Sequence, residues 1–185
     1  MTSPNSGTGY DKSDCEKGGN GYMPISLQYN DYTATYARNP SLAGGDPFEN
    51  FTNRSYKGKS VKTANKQDML SVLETKAKMK GKPVIVSLEM DKPTIMSEFE
   101  GSADAILVNF GVQNQAVLDI ISGKAEPSAL FPLQMPADMR IVEEQFEDVP
   151  RDMKCYTDSE GHLYDFAFCM NWKGVIDYER VTKYK

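Results

Sequence analysis

Several things are scarce in this chain, and each scarcity removes a class of function. Basic charge is not in excess: 26 acidic residues face 21 Lys and Arg, giving a formal net charge of -5 and a pI near 5.0. An interspersed acidic surface lacks the positive footprint that holds nucleic acid or anionic lipid, so no nucleic-acid partner is expected. No run reaches the roughly 18 apolar residues of a membrane span, so no membrane partner is expected either. The start Met1-Thr2-Ser3-Pro4-Asn5-Ser6 has neither the basic nor the apolar region of an export signal. A soluble chain is expected, its compartment left open. One histidine, His162, and three cysteines, Cys15, Cys155 and Cys169, form no CxxC pair, no His-rich cluster and no even disulfide framework. No metal and no cofactor is expected. Walker A, G-x-S-x-G, H-E-x-x-H and G-x-G-x-x-G patterns are all missing. Gly18-Gly19-Asn20-Gly21 follows no buried strand and reads as a turn-forming loop rather than a phosphate nest. With 185 residues the chain is also too short for a complete (β/α)₈ barrel, which needs about 250.

What is present divides unevenly. Residues 1–66 hold four Leu, Ile and Val against twenty-five in residues 67–185, yet carry six tyrosines, at 10, 22, 29, 32, 36 and 56. Residues 1–65 are therefore expected to be an irregular Tyr/Gly/Asn-rich segment of the same domain, residues 1–60 of it more mobile than the rest, with residues 66–185 as an α/β core ending in C-terminal strands. Asn65 is placed to cap a helix with Asp68 in its first turn and Met69, Leu70, Val72, Leu73 and Ala77 on one face, stopped by Gly81. Pro83 to Glu89 and Asp104 to Asn109 read as adjacent parallel strands, apolar on both faces. Pro93 to Phe99 fits a short helix between them. Gln113 to Ser122 fits another, with Val117, Leu118, Ile120 and Ile121 inward and Gly123 ending it. Leu130 to Pro136, with two prolines, suits an edge strand, and Leu163–Phe168 and Val175–Tyr178 suggest closing strands. The alternation predicts an α/β layered domain with right-handed crossovers and too few strands to be complete. Loops after the two confident strands, Glu89-Met90-Asp91 and Asn109-Phe110-Gly111, lie where open α/β sheets place ligands. A Cys–His dyad from His162 with Cys155 or Cys169 is conceivable but lacks an orienting third group. Asn50-Phe51-Thr52 and Asn53-Arg54-Ser55 match the glycosylation triplet.

The stretch Ala103-Asp104-Ala105-Ile106-Leu107-Val108-Asn109-Phe110-Gly111, then Ala116 to Gly123, then Glu126-Pro127-Ser128-Ala129-Leu130-Phe131-Pro132-Leu133-Gln134-Met135-Pro136, resembles the second domain of glycoside hydrolase family 3. Gly81-Lys82-Pro83-Val84-Ile85-Val86 is similar to that family's G-K-P-V-V-V strand, and Phe166-Ala167-Phe168-Cys169-Met170-Asn171-Trp172 to its F-G-x-G-L-S-Y ending. Gly18 to Tyr29 is similar to the G-G-N-G-Y-x-P-I-S-L-Q-Y segment of bacterial β-glucosidase-like members. Two departures, Ala129 and Cys169 at glycine positions, are expected to strain turns that want positive φ.

The resemblance implies a partial (α/β)₆-sandwich-like layered domain with a small, mostly parallel sheet and a long irregular N-terminal segment. It implies the C-terminal domain of a retaining β-glucosidase-like hydrolase, inactive without its (β/α)₈ barrel and acting on a β-glucoside or oligosaccharide. The family's nucleophilic aspartate lies on the barrel, outside this chain. Many members take the acid/base glutamate from a sandwich loop, which makes Glu16 the candidate and Asp14 the alternative, in the loop Asp11 to Lys17. Two other readings stay open: a non-catalytic carbohydrate-binding or assembly module using the tyrosine-rich surface, and a small flavodoxin-like binding domain, which the missing phosphate loop disfavours.

Overall fold

A computed structural model of the chain describes residues 1–38, 55–146 and 149–183. Most of both glycosylation triplets, residues 50–54, lies outside these. Helices are α1 (Lys12–Glu16), α2 (Lys66–Lys78), α3 (Asn114–Ile121), α4 (Met139–Glu144) and α5 (Glu179–Thr182). Strands are β1 (Tyr32–Thr33), β2 (Ser60–Val61), β3 (Ile85–Glu89), β4 (Ala105–Asn109), β5 (Met170–Asn171) and β6 (Gly174–Val175). The result is a mixed α/β domain with short sheets: β3 and β4 are parallel, while β1–β2 and β5–β6 are small antiparallel ribbons.

The central pair is parallel as expected, with Ile85 opposite Ala105 through Glu89 opposite Asn109. Asp104 fixes its entry: the carboxylate accepts from Val84 N–H at 2.7 Å and from Lys76 Nζ at 2.6 Å, tying the strand ends to α2. The chain start adds a third row. Thr2 bridges Glu89 in parallel, the Met1 ammonium donates to the Ser87 carbonyl at 2.9 Å, and Ser3 N–H donates to the Glu89 carbonyl at 3.0 Å. Asn65 does precede α2, but its side chain makes no cap bond. Instead its Oδ1 accepts from Asn5 N–H and its Nδ2 reaches Thr2 and Ser3 oxygens, so it fastens the first residues. α2 ends as expected, with Lys80 and Gly81 both at positive φ.

The core collects Val84, Val86, Leu88 and Met90 from the strand region, Met69 from α2, Met96 and Phe99, Met135, and Tyr29 from the N-terminal third. A second cluster joins Tyr32, Ala34, Ala37, Ile95 and Met139. From residues 1–38, Tyr29 and Ala34 enter the core with no exposed surface.

Four expectations need correction. Pro93 to Phe99 is not a helix: two 3₁₀ turns, Met96–Glu98 and Glu100–Ser102, span that region, too short for an α-helical crossover. The two strands are not buried on both faces. β3 alternates exposed and buried residues, and β4 has no fully buried residue, because the core covers only one side of the pair. α3 likewise buries nothing completely, and Leu118 and Ile121, expected inward, are 55% and 44% exposed. Residues 130–137 form no regular strand either. With Pro132 and Pro136 lacking donors, they exchange scattered backbone bonds with residues 154–156 and 164–168, such as Ala167 N–H to the Phe131 carbonyl at 2.8 Å.

Glycine replacement strains a different position from those expected. Neither Ala129 nor Cys169 has positive φ; among the described non-glycine residues only Lys80, Arg151 and Ala167 do, Ala167 at φ 69. Ala167 is buried, so its methyl group sits in a left-handed turn without room to relax. Ala167→Gly is therefore expected to leave stability unchanged or raise it by up to about 1 kcal/mol, whereas Cys169→Gly, at an ordinary backbone angle, should lose roughly 0.5–1 kcal/mol. Urea denaturation of both variants checks this, and the reverse order would show that the turn strain lies elsewhere.

Candidate functional site

The candidate acid/base residues lie on one hairpin-like excursion, residues 9–23. Its stem closes through Met23 N–H to the Gly9 carbonyl at 2.9 Å and Asp11 N–H to the Gly21 carbonyl at 2.8 Å, with Tyr10 bridging Tyr22. Asp11 starts α1: its carboxylate accepts from Ser13 N–H at 2.8 Å and Ser13 Oγ at 2.9 Å, which holds its pKa below the usual range. The far side of the loop turns back over α1. Gly19 must be glycine, since a Cβ there would stand 2.1 Å from Asp14 Oδ2, and one at Gly21 would stand 2.6 Å from Cys15 Sγ.

Asp14 and Glu16 sit two positions apart on α1, a spacing at which side chains diverge. Asp14 points into the loop. Its Oδ2 accepts from Lys59 Nζ at 2.6 Å and from Gly21 N–H at 2.8 Å, and Lys59 also donates to Asn20 Oδ1 at 2.7 Å. Asn20 Nδ2 in turn donates to the Ser55 carbonyl at 2.8 Å. Lys59 first and then Gly21 N–H hold the Asp14 carboxyl below the usual carboxylate range. Glu16 points outward, its side chain 66% exposed and its nearest cation Lys12 Nζ at 3.9 Å.

One carboxylate that the sequence did not single out belongs to the same neighbourhood. A cavity of about 480 Å³ opens at the foot of this excursion, with Gly9, Tyr22, Met23 and Ile25 on one wall and Arg38, Tyr56 and Glu143 on another. Glu143, on α4, is buried at 8% exposure, and Tyr32 Oη donates to its Oε1 at 3.0 Å. Burial raises its pKa, partly offset by hydrogen bonds from Tyr32 and Tyr56. Arg38 Nη2 donates to the Gln145 carbonyl at 2.6 Å, and its guanidinium lies 4.8 Å over the Phe146 ring. Val142-Glu143-Glu144 in sequence looks like a solvated helix face. Its contacts with Tyr32 and Tyr56 separate Glu143 from its exposed neighbour.

The other candidates resolve simply. After β3, Asp91 binds Lys92 at 3.0 Å; after β4, Asn109 Oδ1 accepts from Gly111 N–H and closes a turn. No Cys–His dyad forms among the described residues: His162 Nδ1 pairs with Asp158 at 2.9 Å, and burial pushes the Cys155 thiol up to about 11, where Gln134 Nε2 donates to it. Among the described residues no group of three His, Cys, Asp or Glu could hold a metal ion, and no helix is long and apolar enough to cross a membrane.

Residues 27–172 match the glycosyl hydrolase family 3 C-terminal domain, and the chain belongs to that family. Among curated proteins it is 34% identical over 85 residues to "Probable beta-glucosidase C" of Aspergillus flavus, covering 46% of this chain and 13% of that protein. Beta-glucosidase C of Emericella nidulans is 34% identical over 84 residues, covering 45% and 14%. The "Periplasmic beta-glucosidase/beta-xylosidase" of Dickeya chrysanthemi is 27% identical over 102 residues, covering 55% and 15%. The chain thus spans about one seventh of the length of the relatives it matches. No solved structure matches it.

The two inward carboxylates should respond to pH with opposite signs. Asp14's native pKa is lowered, so its clamp stabilises the fold above the unfolded value of about 3.9 and is lost as pH falls through the native value. Glu143's native pKa is raised, so its contribution is full below the unfolded value of about 4.3 and declines as pH rises through the native one. Thermal unfolding from pH 2 to 8 is expected to show a flatter acid limb for Asp14→Asn and a smaller loss on the alkaline side for Glu143→Gln. Parallel curves for wild type and both variants would show that neither environment survives in solution.

Proposed function

We propose that this chain is the α/β-sandwich part of a β-glucosidase-like glycoside hydrolase that works by retention, and that Glu16 is its acid/base residue. Membership of the family 3 C-terminal domain by residues 27–172, together with relatives several times longer that are named β-glucosidases, carries the proposal. On this reading a (β/α)₈ barrel outside the chain provides the nucleophilic aspartate and the floor of the sugar site. Retention needs two carboxyl groups about 5–5.5 Å apart, one to attack the anomeric carbon and one to protonate the departing oxygen.

Geometry favours Glu16 over Asp14 for the second role. A general acid must carry a proton at working pH, and Asp14 is committed as an anion to Lys59 and Gly21. Glu16 stands outward on a short helix held by a closed stem, where an approaching domain can reach it. The half-covered central strands support an incomplete sandwich, since parallel sheets are ordinarily covered on both faces.

The isolated chain is expected to show no turnover of aryl β-glucosides, since no glycosyl-enzyme can form without the nucleophilic aspartate. In the barrel-bearing enzyme, Glu16→Gln should slow hydrolysis of substrates with poor leaving groups by about 10²–10⁴-fold and of activated aryl glucosides much less. Equal losses for both substrate types would remove Glu16 from the role, and turnover by the purified chain would overturn the division of labour.

A further inference from the structure

α1 is five residues long and none of them is buried, so it has neither the length nor the packing to hold its own direction. The stem closes below it, at Asp11 and Gly21. Beyond the stem Lys59 reaches in from the β1–β2 side, its Nζ donating to Asp14 Oδ2 at 2.6 Å and to Asn20 Oδ1 at 2.7 Å. The paired side chains are 22% and 25% exposed, so water and salt screen them less than a surface pair. Asp14 is also the hub of the loop: Oδ2 takes Gly21 N–H at 2.8 Å, and its carbonyl takes Lys17 and Gly19 N–H at 3.1 and 2.8 Å.

Lys59 itself stands on fixed backbone. Its carbonyl accepts from Ala34 N–H and its N–H donates to the Tyr56 carbonyl, each at 3.0 Å, and Ala34 has no exposed surface. On a helix that turns about 100° per residue, Glu16 lies roughly 200° round from Asp14, so pinning Asp14 inward turns Glu16 outward. Without the pin a one-turn helix rolls, and the outward carboxylate rolls with it. We propose that Lys59 is a positioning residue for the proposed acid: through Asp14 and Asn20 it fixes the roll of α1 and hence the direction of Glu16. The inference rests on the reading of Glu16 as the acid/base residue and adds to it a residue more than forty positions away.

Two measurements separate the hold on the loop from its use in catalysis. In the 185-residue chain, Lys59→Met keeps the backbone bonds at position 59. It should speed amide exchange about 5-fold at Lys17, Gly19 and Gly21 while leaving the amides at positions 34 and 59 unchanged. In the barrel-bearing enzyme the same variant should lower kcat about 10-fold for glucosides with poor leaving groups and much less for activated aryl glucosides, with KM little changed. Asp14→Asn should give the same pattern and keeps the test open if Lys59→Met does not fold. Where both variants fold, combining them should add little, because each breaks the same tie. Unchanged exchange in both variants would overturn the proposal, as would fully additive kinetic losses. So would equal losses for the two substrate types in Lys59→Met where Glu16→Gln discriminates between them. Equal losses in Glu16→Gln itself would remove the acid reading and the positioning role with it, while exchange at Gly21 would still report whether Lys59 holds the loop.

Discussion

Of the side chains through which the N-terminal third holds to the rest of the molecule, Tyr29 is the largest that is fully buried. A segment with so few aliphatic residues cannot build a core, so it must enter one built by others. Tyr29 does so with no exposed surface, its ring edge-on to Phe99 at 5.8 Å and 80°. A phenol buried this deeply needs an acceptor, and the Thr2 carbonyl supplies it at 2.7 Å. Thr2 is the residue that pairs with Glu89 at the sheet edge. The same tyrosine thus links the 3₁₀ turns, the chain start and β3. Glu98 completes the joint, its carboxylate accepting from the backbone N–H groups of Tyr29 and Asn30 and from Asn30 Nδ2.

That joint gives the 9–23 excursion a firm base. Immediately before Tyr29, Leu27 is held on both sides: its carbonyl accepts from Ile95 N–H at 2.8 Å, and its N–H meets Met139 Sδ on α4 at 3.3 Å. Ser26 is fully buried and exchanges hydrogen bonds with Ser6. From this anchored strip the chain runs back through Ile25 and Met23 into the stem, while Lys59, adjoining β2, reaches the loop's far end through Asp14. Both ends of the excursion are therefore fixed by charge-assisted or backbone bonds. The surface tyrosines that border it have rigid backing despite the lack of regular secondary structure.

Sequence patterning recovered the parallel pairing of β3 and β4, the position of α2, and α3 to within one residue at each end. Those elements rest on local periodicity and glycine stops, which one chain displays openly. It overstated burial on β4 and α3 because a run such as Ala105-Ile-Leu-Val records what a strand is suited to meet, and the partner surface is not written beside it. It placed strain at Cys169 and Ala129, but the left-handed angle is at Ala167, which stands at the first glycine of the same F-G-x-G ending. Asp14 and Glu16 of the 11–17 loop were visible as candidates. Their separation into a clamped Asp14 and an outward Glu16 depends on Lys59, more than forty residues away. Glu143 was invisible for the same reason, its burial coming from Tyr32 and Tyr56 rather than from its helix.

The uncovered apolar residues have energetic weight. Phe110, Val112, Leu118 and Ile121 in the loop after β4 and in α3 are each about half exposed. At about 1.5–3 kcal/mol for each full burial, covering the exposed halves of four such side chains is worth roughly 3–6 kcal/mol before the cost of ordering the covering element. A domain's whole net stability is about 5–15 kcal/mol. A covering surface would thus contribute an amount comparable with the fold's own margin. On the reading that a larger enzyme surrounds this chain, such coverage would brace the β3–β4 pair whose edge the Met1–Ser3 segment occupies. Through Thr2 and Tyr29 the same bracing would reach the base of the Glu16 loop, so packing on one side of the sheet would help hold the proposed acid in place.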